Sequence, residues 1–188
     1  PIQWFYASLR RYGLGQTIAI MWSVVVDARF DPKYGTDTAR RIPREEIETR
    51  SENIVHCVNY GASKELPFRK LMSRLNLPKD GVFVDLGSGK GRALMLAAKY
   101  GFRKVIGIEF SGALCAAARD NLQKFLRKFP SRSKIEVIES DVTKYEFGDD
   151  ETVFFMLDPF NAPVLTQVLQ NIRASVERNP RNIWLIYS

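Results

Sequence analysis

The chain has 188 residues, of which 45% are hydrophobic and 26% charged, so it can bury a substantial core in one domain. No apolar stretch reaches the roughly 18 residues of a membrane span, and no secretory signal is recognised, so we expect a cytoplasmic protein. The two cysteines, Cys57 and Cys115, lie far apart and lack a partnering histidine pattern. Free buried thiols are therefore favoured over a disulfide framework or a metal site.

Residues 1–80 are predicted to form a helical extension that packs on the core. The apolar run 14–26 is typical of a membrane-surface helix or a partner-binding helix, but the run is short and has a polar edge, so core packing is favoured. Helical spacing of apolar residues predicts a helix over 43–59 and another around 68–75.

Residues 81–188 alternate between apolar strands and amphipathic helices. The strands are predicted at 82–86, 104–109, 135–139, 152–157 and 182–187. Apolar residues spaced three and four apart predict helices around 114–129 and 164–176, and Gly101 ends the first core helix. This alternation predicts an α/β fold, a doubly wound and mostly parallel sheet.

A glycine-rich loop follows the first of these strands, which ends on Asp85. Its residues are Gly87, Ser88, Gly89, Lys90 and Gly91. A phosphate-binding P-loop is excluded, because it needs glycine where Val84 stands and a hydroxyl residue where Gly91 stands. A dinucleotide fingerprint is weakened because Arg92 occupies a position for a small residue. A carboxylate at the strand end would repel a pyrophosphate and suits a ligand that carries an ammonium and a sulfonium.

Two more acids follow the next two strands. Glu109 ends the second strand, where its carboxylate can accept hydrogen bonds from both ribose hydroxyls. An NAD-binding protein would place an acid there too. Asp141 follows the third strand, where it can hold an adenine amino group, with Val142 against the ring. Three acids after three successive strands indicate a nucleoside-bearing ligand.

The segments 84–92, 108–111, 140–142 and 157–161 resemble the class I, seven-strand, Rossmann-like S-adenosylmethionine-dependent methyltransferases, over about residues 81–187. The resemblance implies that S-adenosylmethionine is the cofactor. Its methionine part would lie near Gly87, Gly89 and Gly91, with its amino group on Asp85, its ribose on Glu109 and its adenine on Asp141 and Val142. Members of this class usually add two strands after the fifth, so we expect a chain that is truncated or continues beyond residue 188.

The stretch 60–63 resembles the tyrosine-containing loop of non-SET protein lysine methyltransferases. The resemblance implies that Tyr60 or Ser63 touches the cofactor. The alternative is a helix cap and a packed aromatic ring.

The loop Asp158-Pro159-Phe160-Asn161 resembles the Asp/Asn-Pro-Pro-Tyr/Phe loop of amino-directed methyltransferases, although one proline is absent. The resemblance implies that Asp158 and Phe160 line the catalytic pocket and position the target amine. In the alternative interpretation, Asp158 caps a helix that starts near Asn161.

The predicted activity is methyl transfer from S-adenosylmethionine to an acceptor that the sequence does not identify. An amine of a protein lysine or a small molecule is favoured. The net charge of +7, with basic clusters at 40–44 and 124–134, keeps RNA or DNA open as a substrate. A nicotinamide-dependent oxidoreductase using the same loop and a cofactor-binding module without catalysis are the remaining alternatives. No metal and no oligomeric state are predicted.

Overall fold

Five apolar segments pair into one parallel sheet in the computed structural model, which describes residues 2–187. The strands are β1 (Val82–Leu86), β2 (Lys104–Glu109), β3 (Lys134–Glu139), β4 (Glu151–Met156) and β5 (Trp184–Tyr187). Their order is β3-β2-β1-β4-β5, and every neighbouring pair is parallel. The predicted doubly wound sheet is therefore confirmed.

The strand order reverses at β1, which has β2 on one side and β4 on the other. In open α/β sheets, ligands bind outside the carboxyl ends of the strands at such a switch point. The loops after β1, β2 and β4 meet at this edge, so the topology brings the predicted site segments together.

Helices cover both faces of the sheet. They are α2 (Glu65–Leu75), α3 (Arg92–Tyr100), α4 (Gly112–Lys128) and α5 (Ala162–Arg178). Alternate residues of β1 face opposite layers: Phe83 packs with α2, α3 and α4, whereas Val82 and Val84 pack with α5. The predicted helices around 68–75, 114–129 and 164–176 are confirmed, and Gly101 ends α3 in the left-handed conformation.

Helix α1 (Ile2–Tyr34) is two helical segments joined at Gly13, whose φ of 75° and ψ of 169° lie outside the helical region. The end of α1 enters the core, where Phe30 and Tyr34 are buried. The core packing expected for residues 14–26 is wrong, because Ile18 and Trp22 are more than half exposed. Within residues 2–187, no helix is both long and apolar enough to cross a membrane.

The helix predicted over 43–59 is also wrong. The structure has two short 3-10 turns there, Arg44–Glu46 and Glu52–His56. The chain instead forms tertiary contacts, including an antiparallel bridge between Ile42 and Tyr60. Cys57, at the end of this segment, is only half-buried, whereas Cys115 is fully buried.

Candidate active site

The glycine loop leaves β1 and turns at once against β2. The backbone N–H groups of Gly87 and Ser88 donate to the carbonyl of Ile108 at 2.9 and 3.0 Å. Gly87 and Gly89 have φ values of 88° and 51°, which favour glycine. A Cβ atom at Gly89 would lie 2.2 Å from the Tyr60 ring. The absence of a side chain at Gly89 therefore lets the Tyr60 ring pack directly on the backbone of the loop.

Two adjoining cavities lie over this loop and share four residues in their walls, Cys57, Gly87, Phe110 and Pro159. The first is lined by the predicted residues Asp85, Gly87, Ser88, Gly89, Glu109, Tyr60 and Ser63. The second is lined by the predicted residues Asp141, Val142 and Phe160. The structure thus gathers ten of the predicted residues around one elongated cleft.

Two predicted residues lie outside the walls of both cavities. Gly91 has a φ of 84°, and a Cβ there would lie 3.2 Å from the Cβ of Ala118, so this glycine lets α3 approach α4. Asp158 is exposed beside the cleft, and its Oδ1 accepts the hydroxyl of Tyr187 at 2.7 Å. Asp158 does not cap α5, whose N-cap residue is Asn161.

The first cavity holds two buried carboxyl groups. Burial, and then the nearby charge of Glu109, raises the pKa of Asp85 to about 8. Burial also raises the pKa of Glu109, although hydrogen bonds to its charged form oppose the shift. Glu109 accepts the backbone N–H groups of Gly89 and Ser111 at 2.9 and 3.0 Å. Two acids in a closed space favour a cationic ligand.

The raised pKa of Asp85 predicts a pH-dependent stability. Burial of Asp85 favours its neutral form, so its contribution to the free energy of unfolding is largest below pH 3.8, the pKa in the unfolded chain. That contribution is lost as pH rises through about 8, the pKa in the folded protein. We therefore expect Asp85→Asn to gain stability relative to the wild type as pH rises from acidic to alkaline. Urea unfolding of both proteins, compared across that range, measures the difference. The exposed Asp80→Asn variant serves as the control, and parallel pH curves for Asp85→Asn and wild type would disprove the assignment.

The carboxylate of Asp141 is already occupied by the chain. Its Oδ2 accepts Ser51 Oγ at 2.5 Å and Asn53 Nδ2 at 2.9 Å, and its Oδ1 accepts the backbone N–H and hydroxyl of Thr143. These bonds lower its pKa against the effect of burial. Asp141 therefore holds the 51–53 turn over the second cavity, and an adenine amino group would have to share its oxygens.

A buried arginine that the sequence analysis missed ties the N-terminal helix to the glycine loop. Arg92 begins α3 and is 3% exposed. Its Nη2 lies 3.2 Å from Asp31 Oδ1 and its Nη1 lies 3.9 Å from Asp27 Oδ1. Its Nε donates to Thr38 Oγ1, and the guanidinium lies 4.4 Å from the centre of the Phe30 ring. The signal in the sequence for a buried basic partner was the pair Asp27 and Asp31, which lie four residues apart on one face of α1.

The segment that follows α1 extends this contact to the cleft. Tyr60 donates its hydroxyl to the carbonyl of Thr38 at 2.8 Å, and the ammonium of Lys90 lies 3.0 Å from Asp37. The side-chain amide of Asn121 accepts the backbone N–H of Asp37 and donates to the carbonyls of Asp37 and Lys90. Residues 37–38 thus fix Tyr60 and the glycine loop relative to each other.

The parallel sheet, its strand order and the acids at successive strand ends define a class I methyltransferase domain, whose cofactor is S-adenosylmethionine. The family described as Histone methylation protein DOT1 matches residues 52–158, more than half of the chain. The chain belongs to this family. The matched range includes the glycine loop, Glu109 and Asp141, and it ends on Asp158.

One curated relative is the Caenorhabditis elegans histone-lysine N-methyltransferase, H3 lysine-79 specific, which is 31% identical over 129 residues. The match covers 61% of this chain but only 14% of that protein. The glycopeptide N-methyltransferase MtfA with sinefungin has a TM-score of 0.53 at 15% identity, covering 68% of this chain and 50% of that one. MtfA with S-adenosylmethionine gives 0.50 at 16%, with 67% and 54% covered. Both structures share the fold.

Proposed function

We propose that this chain transfers a methyl group from S-adenosylmethionine to the side-chain amine of a protein lysine. The observation that carries the proposal is the DOT1 family match, because residues 52–158 supply most of the walls of both cavities. The name of the nematode relative specifies a histone lysine, although this chain spans 14% of that protein's length. The wider activity and partners of that relative are therefore not carried over.

The residues of the cleft fit this cofactor. Glu109 can accept hydrogen bonds from ribose hydroxyls, a bound ammonium would favour the charged form of Asp85, and the glycine loop lines the same cavity. The second cavity has a mainly apolar wall that includes Ile108, Val142 and Phe160, which suits an adenine ring.

Bound S-adenosylmethionine would supply a methyl group on a positively charged sulfonium. Transfer to an amine needs alignment and exclusion of water rather than a nucleophilic side chain of the protein. Tyr60 and Pro159 line the first cavity, where they help to exclude water. Asp158 lies at its rim between two lining residues, where its carboxylate can accept a hydrogen bond from the incoming amine. We assign Asp158 to the acceptor side of the reaction, whereas Phe160 lines the cavity that suits adenine.

Radiolabelled methyl transfer tests this proposal. The full chain is incubated with methyl-labelled S-adenosylmethionine and, separately, core histones, lysine-containing peptides and total RNA, followed by amino-acid and nucleoside analysis. We expect labelled methyllysine, and a fall in kcat of at least about tenfold in Asp158→Ala with little change in cofactor affinity. Asp149→Ala, an exposed acid paired with Arg178, is the matched control and should retain full activity.

Two results would overturn the proposal. Label that enters RNA and not protein would assign the activity to a nucleic-acid substrate. Cofactor binding without transfer to any of the three acceptors would favour a binding module without catalysis.

A further inference from the structure

In the first half of α1, two hydroxyl residues are buried while several large apolar side chains are exposed. The hydroxyls of Ser8 and Thr17 lie 3.1 Å apart, and these residues are only 5% and 0% exposed. In a continuous helix, nine residues would separate them by about 13 Å along the axis. The two segments therefore turn back on each other at Gly13, with hydroxyl groups at their contact.

Another face of the second segment is apolar and exposed. Leu14, Ile18 and Trp22 follow at intervals of four and are 58%, 54% and 57% exposed. Met21 and Val25 extend the same face. A helix on a soluble protein normally shows the reverse arrangement. Helices in lipid contact one another through small and hydroxyl residues and turn large apolar side chains outward.

The charges of this region have one sign. Residues 1–26 contain no aspartate or glutamate, and the exposed Arg10 and Arg11 lie just before the turn at Gly13. The guanidinium of Arg11 lies 5.3 Å from the ring centre of the half-exposed Tyr12. Basic and aromatic residues beside an apolar face are the features by which interfacial helices bind anionic lipid headgroups.

We propose that residues 5–26 dock on an anionic membrane surface, with the face of Leu14, Ile18 and Trp22 inserted among the lipids. The uncharged stretch 14–26 is about 20 Å long as a helix, which suits shallow insertion rather than the roughly 30 Å of a bilayer core. A second copy of the chain is a poorer occupant, because pairing two such faces would bring basic residues together without acids to neutralise them. The proposal is independent of the methyl acceptor.

Co-sedimentation of the full chain with lipid vesicles tests it. We expect binding to phosphatidylcholine vesicles that contain phosphatidylglycerol, and weaker binding to pure phosphatidylcholine or at high salt. The double variant Ile18→Gln/Trp22→Gln should lower the partition coefficient at least about tenfold. Leu169→Gln, at a partly exposed leucine of α5, is the matched control and should bind as the wild type does.

A second variant separates the contribution of charge. Arg10→Gln/Arg11→Gln should weaken binding to the anionic vesicles while leaving the residual binding to neutral vesicles unchanged. Equal sedimentation of wild type and Ile18→Gln/Trp22→Gln would overturn the proposal, as would no sedimentation of the wild type. A dimer in analytical ultracentrifugation that the Trp22 change abolishes, without vesicle binding, would assign the face to a second copy.

Discussion

Replacing Glu109 with alanine is expected to lower the affinity for S-adenosylhomocysteine by about 100-fold. The cleft would lose its acceptor for the ribose hydroxyls, and each charge-assisted bond contributes about 1.5–3 kcal/mol. The same change frees the N–H groups of Gly89 and Ser111, which Glu109 holds at 2.9 and 3.0 Å. Isothermal calorimetry measures the affinity, and circular dichroism checks that the fold is retained.

Glu139 provides a matched control for this experiment. It pairs with Glu109 in the register of β2 and β3, but it is exposed and lies outside both cavities. Glu139→Ala should bind the nucleoside normally. Equal affinity in the Glu109→Ala and Glu139→Ala proteins would contradict the placement of the ribose.

Replacing Arg92 with methionine is expected to cause the largest loss of stability among the substitutions considered. The variant would leave Asp27 and Asp31 without their buried partner, and breaking a buried ion pair from one side costs about 3–5 kcal/mol. The contact between α1 and the glycine loop would weaken with it. Chemical unfolding of the purified variant measures the change in the free energy of unfolding.

The exposed pair of Arg103 and Asp150 is the control for Arg92. Their charged atoms lie 3.0 Å apart, but the side chains are 55% and 59% exposed. Such surface pairs contribute about 0–1 kcal/mol, so Arg103→Met should change stability little. A loss in Arg92→Met no greater than in Arg103→Met would show that the buried cluster does not hold the N-terminal helix.

The centre of the parallel sheet was predictable because β1, β2 and β4 are buried on both faces. Continuous runs of valine, isoleucine and phenylalanine therefore mark the strands, and their observed bounds differ from the predicted ones by at most two residues at either end. The glycine loop was predictable because its backbone conformation restricts the residue type. Positive φ values at Gly87 and Gly89 require a residue without a side chain.

The segment over the cleft was not predictable from periodicity. Helical spacing between Ile47 and Val58 is outweighed by contacts with distant residues, such as Thr49 with the carbonyl of Phe110 and Ser51 with Asp141. A single sequence shows which side chains can accept or donate but not which partners they find. The buried Arg92 cluster was missed for the same reason, since its partners lie more than fifty residues away.

The exposure of the apolar face of α1 was not predicted for a different reason. Its apolar composition predicted burial, because a hydrophobic run on a soluble domain usually packs on the core. In the structure the hydroxyls of Ser8 and Thr17 occupy the helix contact instead. Composition alone does not say which side of a helix turns inward.

Isothermal calorimetry of the full chain with S-adenosylmethionine, S-adenosylhomocysteine and NADH tests the central claim most directly. The claim is that the cleft between the glycine loop and the 51–63 segment binds a sulfur nucleoside. We expect both sulfur nucleosides to bind with about micromolar affinity, near −8 kcal/mol, and NADH to give no heat of binding. Binding of NADH without binding of either sulfur nucleoside would contradict it and assign the loop to a dinucleotide.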